Sequence, residues 1–176
     1  MEFNFEKQIK TVADFPKKGI LFYDITPILL SPAAYAQACD AVADSVAKFK
    51  PQAIVSPEAR GFFFGIPVAM KLGVPFIPVR KKGKLPRQTA SASYALEYGT
   101  DSIFIHKDDV KPDTNVAVID DILATGGTAK AMCQLLSSLG AKVACCSFLL
   151  ELEGLNGREC LSDNEVLSVI KRTVCE

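Results

Sequence analysis

Asp120 and Asp121 stand side by side after an apolar run, Val116–Ile119, and two apolar residues separate them from Ala124-Thr125-Gly126-Gly127-Thr128. Paired carboxylates accept hydrogen bonds from neutral hydroxyls and favour a positive charge that develops beside them. Glycines without a Cβ let backbone N–H groups close around an anion, and a helix that begins there adds its partial positive charge. The chemistry suited to this spacing is a phosphate held beside a diol, which is what a ribose 5-phosphate offers. Taken alone, an Asp-Asp pair before Gly-Gly reads more readily as a solvated strand end and a loop. The full order of apolar strand, two acids, small-residue loop and apolar helical run favours the ligand reading. No Gly-Lys-Ser/Thr follows the glycines, so the stretch is not a P-loop. It also lacks the G-x-G-x-x-G spacing of a dinucleotide fingerprint.

Two further groups of residues could bear on an anion. In Pro57-Glu58-Ala59-Arg60-Gly61 one arginine enters a tight turn before a helix, where a guanidinium could clamp an oxyanion through two hydrogen bonds. The alternative is a surface Arg60 paired with Glu58. Arg80-Lys81-Lys82-Gly83-Lys84-Leu85-Pro86-Arg87 holds five cations in eight residues, although the chain as a whole balances to zero net charge. Such a run is commonly a solvated face, but it follows a strand end and so makes a second wall for a polyphosphate. The stretch from Gln88 to Gly99 is small and polar, with two tyrosines and Glu97. It reads as a loop that closes as a lid or as an exposed hairpin, and the sequence leaves both open. His106, the only histidine, ends an alternating strand and reads as a surface or hydrogen-bonded structural residue.

The elements that must position these residues follow from periodicity. An amphipathic helix covers Ala33 to Phe49, a short strand runs from Gln52 to Ser56, and a second helix through Phe64, Val68 and Leu72 closes at Gly73. Strands follow at Pro75–Val79, Ser102–His106 and Val116–Ile119, the last ended by the two aspartates. Lys142–Leu152 is a long apolar strand, and Glu165–Ile170 adds an edge. Alternation of this kind specifies one α/β domain over residues 1–176, with a mainly parallel sheet flanked by helices. Ligands in such folds sit beyond the carboxyl ends of strands, where Asp120, Glu58 and Arg80 all fall.

Composition narrows the classes. Zero net charge gives no overall field to draw nucleic acid or an anionic membrane. No apolar run approaches the ~20 residues of a membrane span, and the first residues lack signal-peptide order. Six cysteines without a CxxC pair read as reduced, packed thiols rather than a metal site, which points to a cytoplasmic protein. Cys145 and Cys146, adjacent on a strand, must face opposite sides of the sheet.

The stretch VAVIDDILATGGT resembles the phosphoribosyl-diphosphate (PRPP) motif of the type I phosphoribosyltransferases. With FPKKGILFYDITPIL, PEARGFFFGIPVA, VPFIPVRKKGKLPRQT and SYALEYGTD, in that order over most of the chain, the sequence is similar to the adenine phosphoribosyltransferases. The resemblance implies a type I phosphoribosyltransferase fold with a small N-terminal hood (residues 1–32) and a flexible lid loop (85–99). It implies transfer of ribose 5-phosphate from PRPP to N9 of adenine, giving AMP and pyrophosphate. Mg²⁺ would be held by PRPP or pyrophosphate oxygens and water, with no direct protein ligand. A homodimer is also implied.

By the same resemblance Asp120 and Asp121 face the ribose, and Ala124, Thr125, Gly126, Gly127 and Thr128 hold the 5-phosphate. Arg60, Arg80 and Lys84 receive pyrophosphate. Glu97 meets the base and manages its proton, and main-chain groups of Leu21 and Tyr23 read adenine. Tyr23 departs from the family, in which an arginine is common at that place. The peptide between Glu58 and Ala59 matches a position where the family has a cis bond. A related enzyme for an oxo-purine would want a lysine in the loop Leu152–Arg158, which has none. A non-catalytic regulator on this fold would lack the pyrophosphate wall and lid, whereas Arg60, Lys84 and Glu97 are present.

Overall fold

A computed structural model describes residues 4–95 and 100–174. In chain order a short 3₁₀ turn leads into β1 (Lys10–Ala13), β2 (Leu21–Asp24), α1 (Thr26–Leu29) and α2 (Pro32–Ala47). Then come β3 (Ala53–Pro57), α3 (Gly61–Leu72), β4 (Phe76–Lys81), β5 (Thr89–Ala95) and β6 (Thr100–His106). The last elements are β7 (Asn115–Leu123), α4 (Gly127–Ser138), β8 (Lys142–Glu153), α5 (Gly157–Cys160) and β9 (Val166–Thr173).

The seven-stranded sheet has the order β5-β6-β4-β3-β7-β8-β9. From β4 to β9 every neighbour is parallel, so five strands form the parallel body expected from the βα alternation. β5 and β6 add an antiparallel margin. Helices cover both faces. On one, Met132 and Leu136 of α4 pack with Val55, Val79, Val118 and Phe148. On the other, Val42 of α2 and Phe64 and Val68 of α3 pack with Ile54, Ile119 and Leu149. Cys145 and Cys146 divide between these two cores, as alternation along a strand requires. Cys146 lies 3.4 Å, sulfur to sulfur, from Cys133.

Two local expectations change, and one alternative left open is decided. β7 does not end at the aspartates but continues to Leu123, because β8 pairs with it as far as Leu123 opposite Glu151. Residues 89–95, read as a loop or a hairpin, are strand, in register with Thr100–His106 at seven positions. His106 is buried with Nδ1 unpartnered, so it is neither a surface nor a fully hydrogen-bonded residue. In the hood, β1 and β2 form a separate two-stranded sheet, Lys10 opposite Asp24 through Ala13 opposite Leu21. β1 is exposed along its whole length. It therefore carries no burial pattern by which a sequence would betray it.

Candidate active site

The carboxyl ends of β3 and β7 lie side by side, and their loops build one cleft. After β3 the chain turns through Glu58-Ala59, a cis peptide, and Arg60 into α3. After β7 it turns through Ala124, Thr125 and Gly126 into α4. Gly126 has φ of 81°, the left-handed conformation a glycine adopts without a Cβ penalty. No side chain caps α4. The N–H groups of its first turn therefore have no helical acceptor, and the macrodipole adds positive potential at the same place. Arg60, Asp120, Asp121 and the whole loop Ala124–Thr128 line an open cleft of about 170 Å³.

The two aspartates have different surroundings. Asp121 is buried, and Arg60 Nε lies 2.8 Å from its Oδ2, close enough for ion pairing though not aligned as a hydrogen bond. Asp120 is half-buried and closely walled by protein. A Cβ built on Gly61 would fall 2.9 Å from Asp120 Oδ1, so only glycine at the start of α3 leaves the carboxylate its place. This enclosure first, and then the neighbouring Asp121 carboxylate, push the Asp120 carboxyl well above its ordinary range. The nearby Arg60 guanidinium opposes that rise without cancelling it.

The other predicted cations meet unexpected partners. Arg80 hydrogen-bonds Glu58, which also accepts from the backbone N–H of Lys81. Burial opposes ionisation of Glu58, but these bonds outweigh it and hold its carboxyl below the usual value. The pairing Arg60–Glu58, the alternative read from the sequence, is not formed: Arg60 reaches across to β7 and Glu58 takes Arg80. Lys84 is exposed just beyond β4 and makes no ion pair among the described residues. Glu97 lies outside the described residues.

Leu21 and Tyr23 line a second cavity of about 390 Å³, with Phe22, Leu152, Leu155 and Val174 among its walls. Arg60, Ile122, Ala124 and Thr125 line both spaces, so the apolar cavity opens directly beside the polar cleft. Tyr23 is 7% exposed and packs in the core beneath the hood, so its side chain is filling rather than a cationic contact. Leu21 and Tyr23, two apart on one strand, present their peptide groups to a common edge. Sequence reasoning missed Gly61 as the partner of Asp120, and it missed Leu155 and Val174 as cavity walls. No periodic pattern marks such contacts between distant segments.

The model of the phosphoribosyl transferase domain matches residues 26–169. A curated adenine phosphoribosyltransferase of Desulfitobacterium hafniense is 50% identical over 168 residues, covering 96% of this chain and 97% of that protein. The chain belongs to the adenine phosphoribosyltransferase family. The crystal structure of the adenine phosphoribosyltransferase from Thermoanaerobacter pseudethanolicus superposes with a TM-score of 0.92 at 48% identity, covering 96% of this chain and 98% of that one. The Saccharomyces cerevisiae enzyme, crystallised with an imino-altritol bisphosphate and adenine, gives 0.88 at 38% identity, with 94% and 96% covered. The mixed α/β architecture is thus the type I phosphoribosyltransferase fold, and the family is one of enzymes.

Proposed function

We propose that this chain transfers the 5-phosphoribosyl group from PRPP to N9 of adenine, releasing pyrophosphate and forming AMP for purine salvage. The observation that carries this reading is the convergence of an anion-binding loop, two aspartates and an arginine in one cleft, with an apolar cavity opening from it. The 5-phosphate sits on the N–H groups of Ala124–Thr128. Its ribose hydroxyls donate to Asp120 and Asp121. Adenine lies in the apolar cavity under Leu21 and Tyr23, read by main-chain groups of the hood.

The C1–O bond to pyrophosphate breaks with its electron pair leaving on oxygen, and N9 supplies the pair for the new C1–N bond. The base gives up one proton at N7 or N9, and Glu97 is the residue proposed to manage it. Positive charge grows on the ribose as the leaving group departs. That charge favours ionised Asp120 more than the neutral ground state does, so the pair acts in the transition state. Arg60 and Arg80 exchange their carboxylate partners for pyrophosphate oxygens, and Lys84 joins them. Mg²⁺ bound to the diphosphate would supply neutralisation of its charge, with Arg60, Arg80 and Lys84 holding the complex. A cationic wall and carboxylates that face hydroxyls suit that mode of binding. We also propose a cytoplasmic homodimer, supported by the family resemblance and by Ile66 and Met70 exposed on α3, with its mass in solution as the check.

Asp120→Asn and Asp121→Asn test this reading. Each is expected to lower kcat by roughly 10²–10³, the scale for removing one group that stabilises developing charge. The AMP dissociation constant should change far less. Equal losses in both quantities would mean the carboxylates bind ground state and transition state alike.

A further inference from the structure

The loop proposed to hold the 5-phosphate has a short backbone span and no side-chain cap, so something outside it must fix its shape. Its rear surface rests on α5. A Cβ built on Gly157 would lie 2.2 Å from the Ala124 carbonyl oxygen and 2.9 Å from Leu123 Cδ1. In the other direction, a Cβ on Gly126 would lie 2.7 Å from the Gly157 carbonyl oxygen and 3.1 Å from Cys160 Cβ. The loop and α5 are therefore in backbone contact, and α5 cannot shift without moving Ala124 and Gly126.

α5 is a single turn of four residues, too short to hold itself. It is tied down by its second residue. Arg158 grips Glu151 of β8 with two hydrogen bonds, Nε to Oε1 at 3.0 Å and Nη2 to Oε2 at 2.6 Å. Its Nη1 donates to the Val166 carbonyl at 2.7 Å, and Nη2 reaches Ser168 Oγ at 3.2 Å, both on β9. Ser168 Oγ in turn donates to Glu151 Oε2 at 2.5 Å. Glu151 is buried at 5% exposure, at the strand position opposite Leu123, the residue that ends β7. A buried carboxylate, a planar fork and a hydroxyl thus pin α5 to two strands.

We propose that Glu151 and Arg158 are positioning residues for phosphoribosyl binding, acting through the Gly157 backbone to hold the loop Ala124–Thr128 in its anion-binding shape. This rests on the reading of that loop as the 5-phosphate site. Neither residue lines the cleft. Their effect falls on how well the loop N–H groups converge, where a displacement of about 1 Å can cost as much as 10²-fold.

The test compares Arg158→Gln, Glu151→Gln and Gly157→Ala with a loop variant, Thr128→Val. Calorimetry on the full chain measures ribose 5-phosphate and, separately, pyrophosphate, and steady-state kinetics give KM for PRPP and kcat. Arg158→Gln and Gly157→Ala are expected to raise the ribose 5-phosphate dissociation constant and KM for PRPP by roughly 10- to 100-fold. Pyrophosphate affinity should stay within about 2-fold, because a misplaced loop leaves the wall of Arg60, Arg80 and Lys84 untouched. Arg158→Lys, which keeps the charge but not the fork, should fall between wild type and Arg158→Gln. Gly157→Ala reaches the loop without changing any charge, so the proposal stays testable if an ion-pair variant fails to fold. Lower thermal stability with KM and both affinities unchanged would make the network merely structural and overturn the proposal. If Thr128→Val weakens ribose 5-phosphate binding and the other variants do not, positioning fails while the loop reading stands. If Thr128→Val also has no effect, the loop reading itself falls.

Discussion

At the scale of single residues, the site keeps one carboxyl where folding alone would not put it. Asp120 has its ionisation opposed by burial and by Asp121, so its folded pKa stands above the unfolded value near 3.8. A raised acid contributes stability below its unfolded pKa and loses that contribution as pH rises through the folded one. Glu151 has the opposite sign: the Arg158 bonds, opposed by burial and helped by Ser168, lower its pKa. Its contribution is present above about 4.5 and lost as pH falls. Asp120→Asn is therefore expected to raise Tm at pH 7, by roughly 2–4 °C for each kcal/mol of strain relieved. The gap to wild type should narrow as pH falls toward 4, where the native carboxyl is itself protonated. Scanning calorimetry between pH 4 and 8 checks this, and a variant less stable than wild type at neutral pH would contradict it. Asp120, Asp121 and the loop 124–128 were legible because they are contiguous, and their order is itself the signal. The partners of Arg60, Arg80 and Asp120 were not, since each comes from a segment distant in sequence.

At the scale of elements, periodicity gave α2, α3, α4 and the five parallel strands, each within a few residues of its bounds. These have one or both faces buried, so alternation or continuous apolar character marks them. β1 is exposed throughout, and β5 is built of small polar residues whose pairing depends on β6, so neither advertises itself. The hairpin of β5 and β6 bears on function because a Cβ built on Gly127 would lie 3.6 Å from the Tyr94 ring, which places that strand against the start of α4. Arg87 at its base holds Asp109 with two hydrogen bonds, 2.8 and 2.9 Å. The amides of Ala90, Ala92 and Tyr94, which face β6 in the antiparallel register of this edge strand, are expected to exchange slowly in the ligand-free protein. Hydrogen exchange read by mass spectrometry decides it. Exchange as fast as an unstructured peptide would mean that this strand forms only when ligands bind.

At the scale of the whole molecule, balanced charge and a two-sided core leave the chemistry to one edge of the sheet. β3, β4 and β7 all end there, and five separated sequence segments, 19–23, Arg60, 120–129, 148–155 and Val174, line the cleft and its cavity. The sequence revealed the phosphate side of this arrangement better than the base side. The site proposed for the phosphate is a local motif, whereas the cavity proposed for adenine is assembled from the hood, β8, the loop after it and Val174. We propose that this edge makes AMP from adenine. The most direct measurement follows labelled adenine, hypoxanthine and guanine, each supplied with PRPP and Mg²⁺, and counts nucleotide and pyrophosphate formed. Adenine should give AMP and pyrophosphate in equal amounts. Hypoxanthine and guanine should be slower by roughly four orders of magnitude in kcat/KM, because main-chain groups placed for an amino edge are left unpaired by an oxo group. Comparable turnover of hypoxanthine, or adenine consumed without matching pyrophosphate, would rule out an adenine-specific transferase.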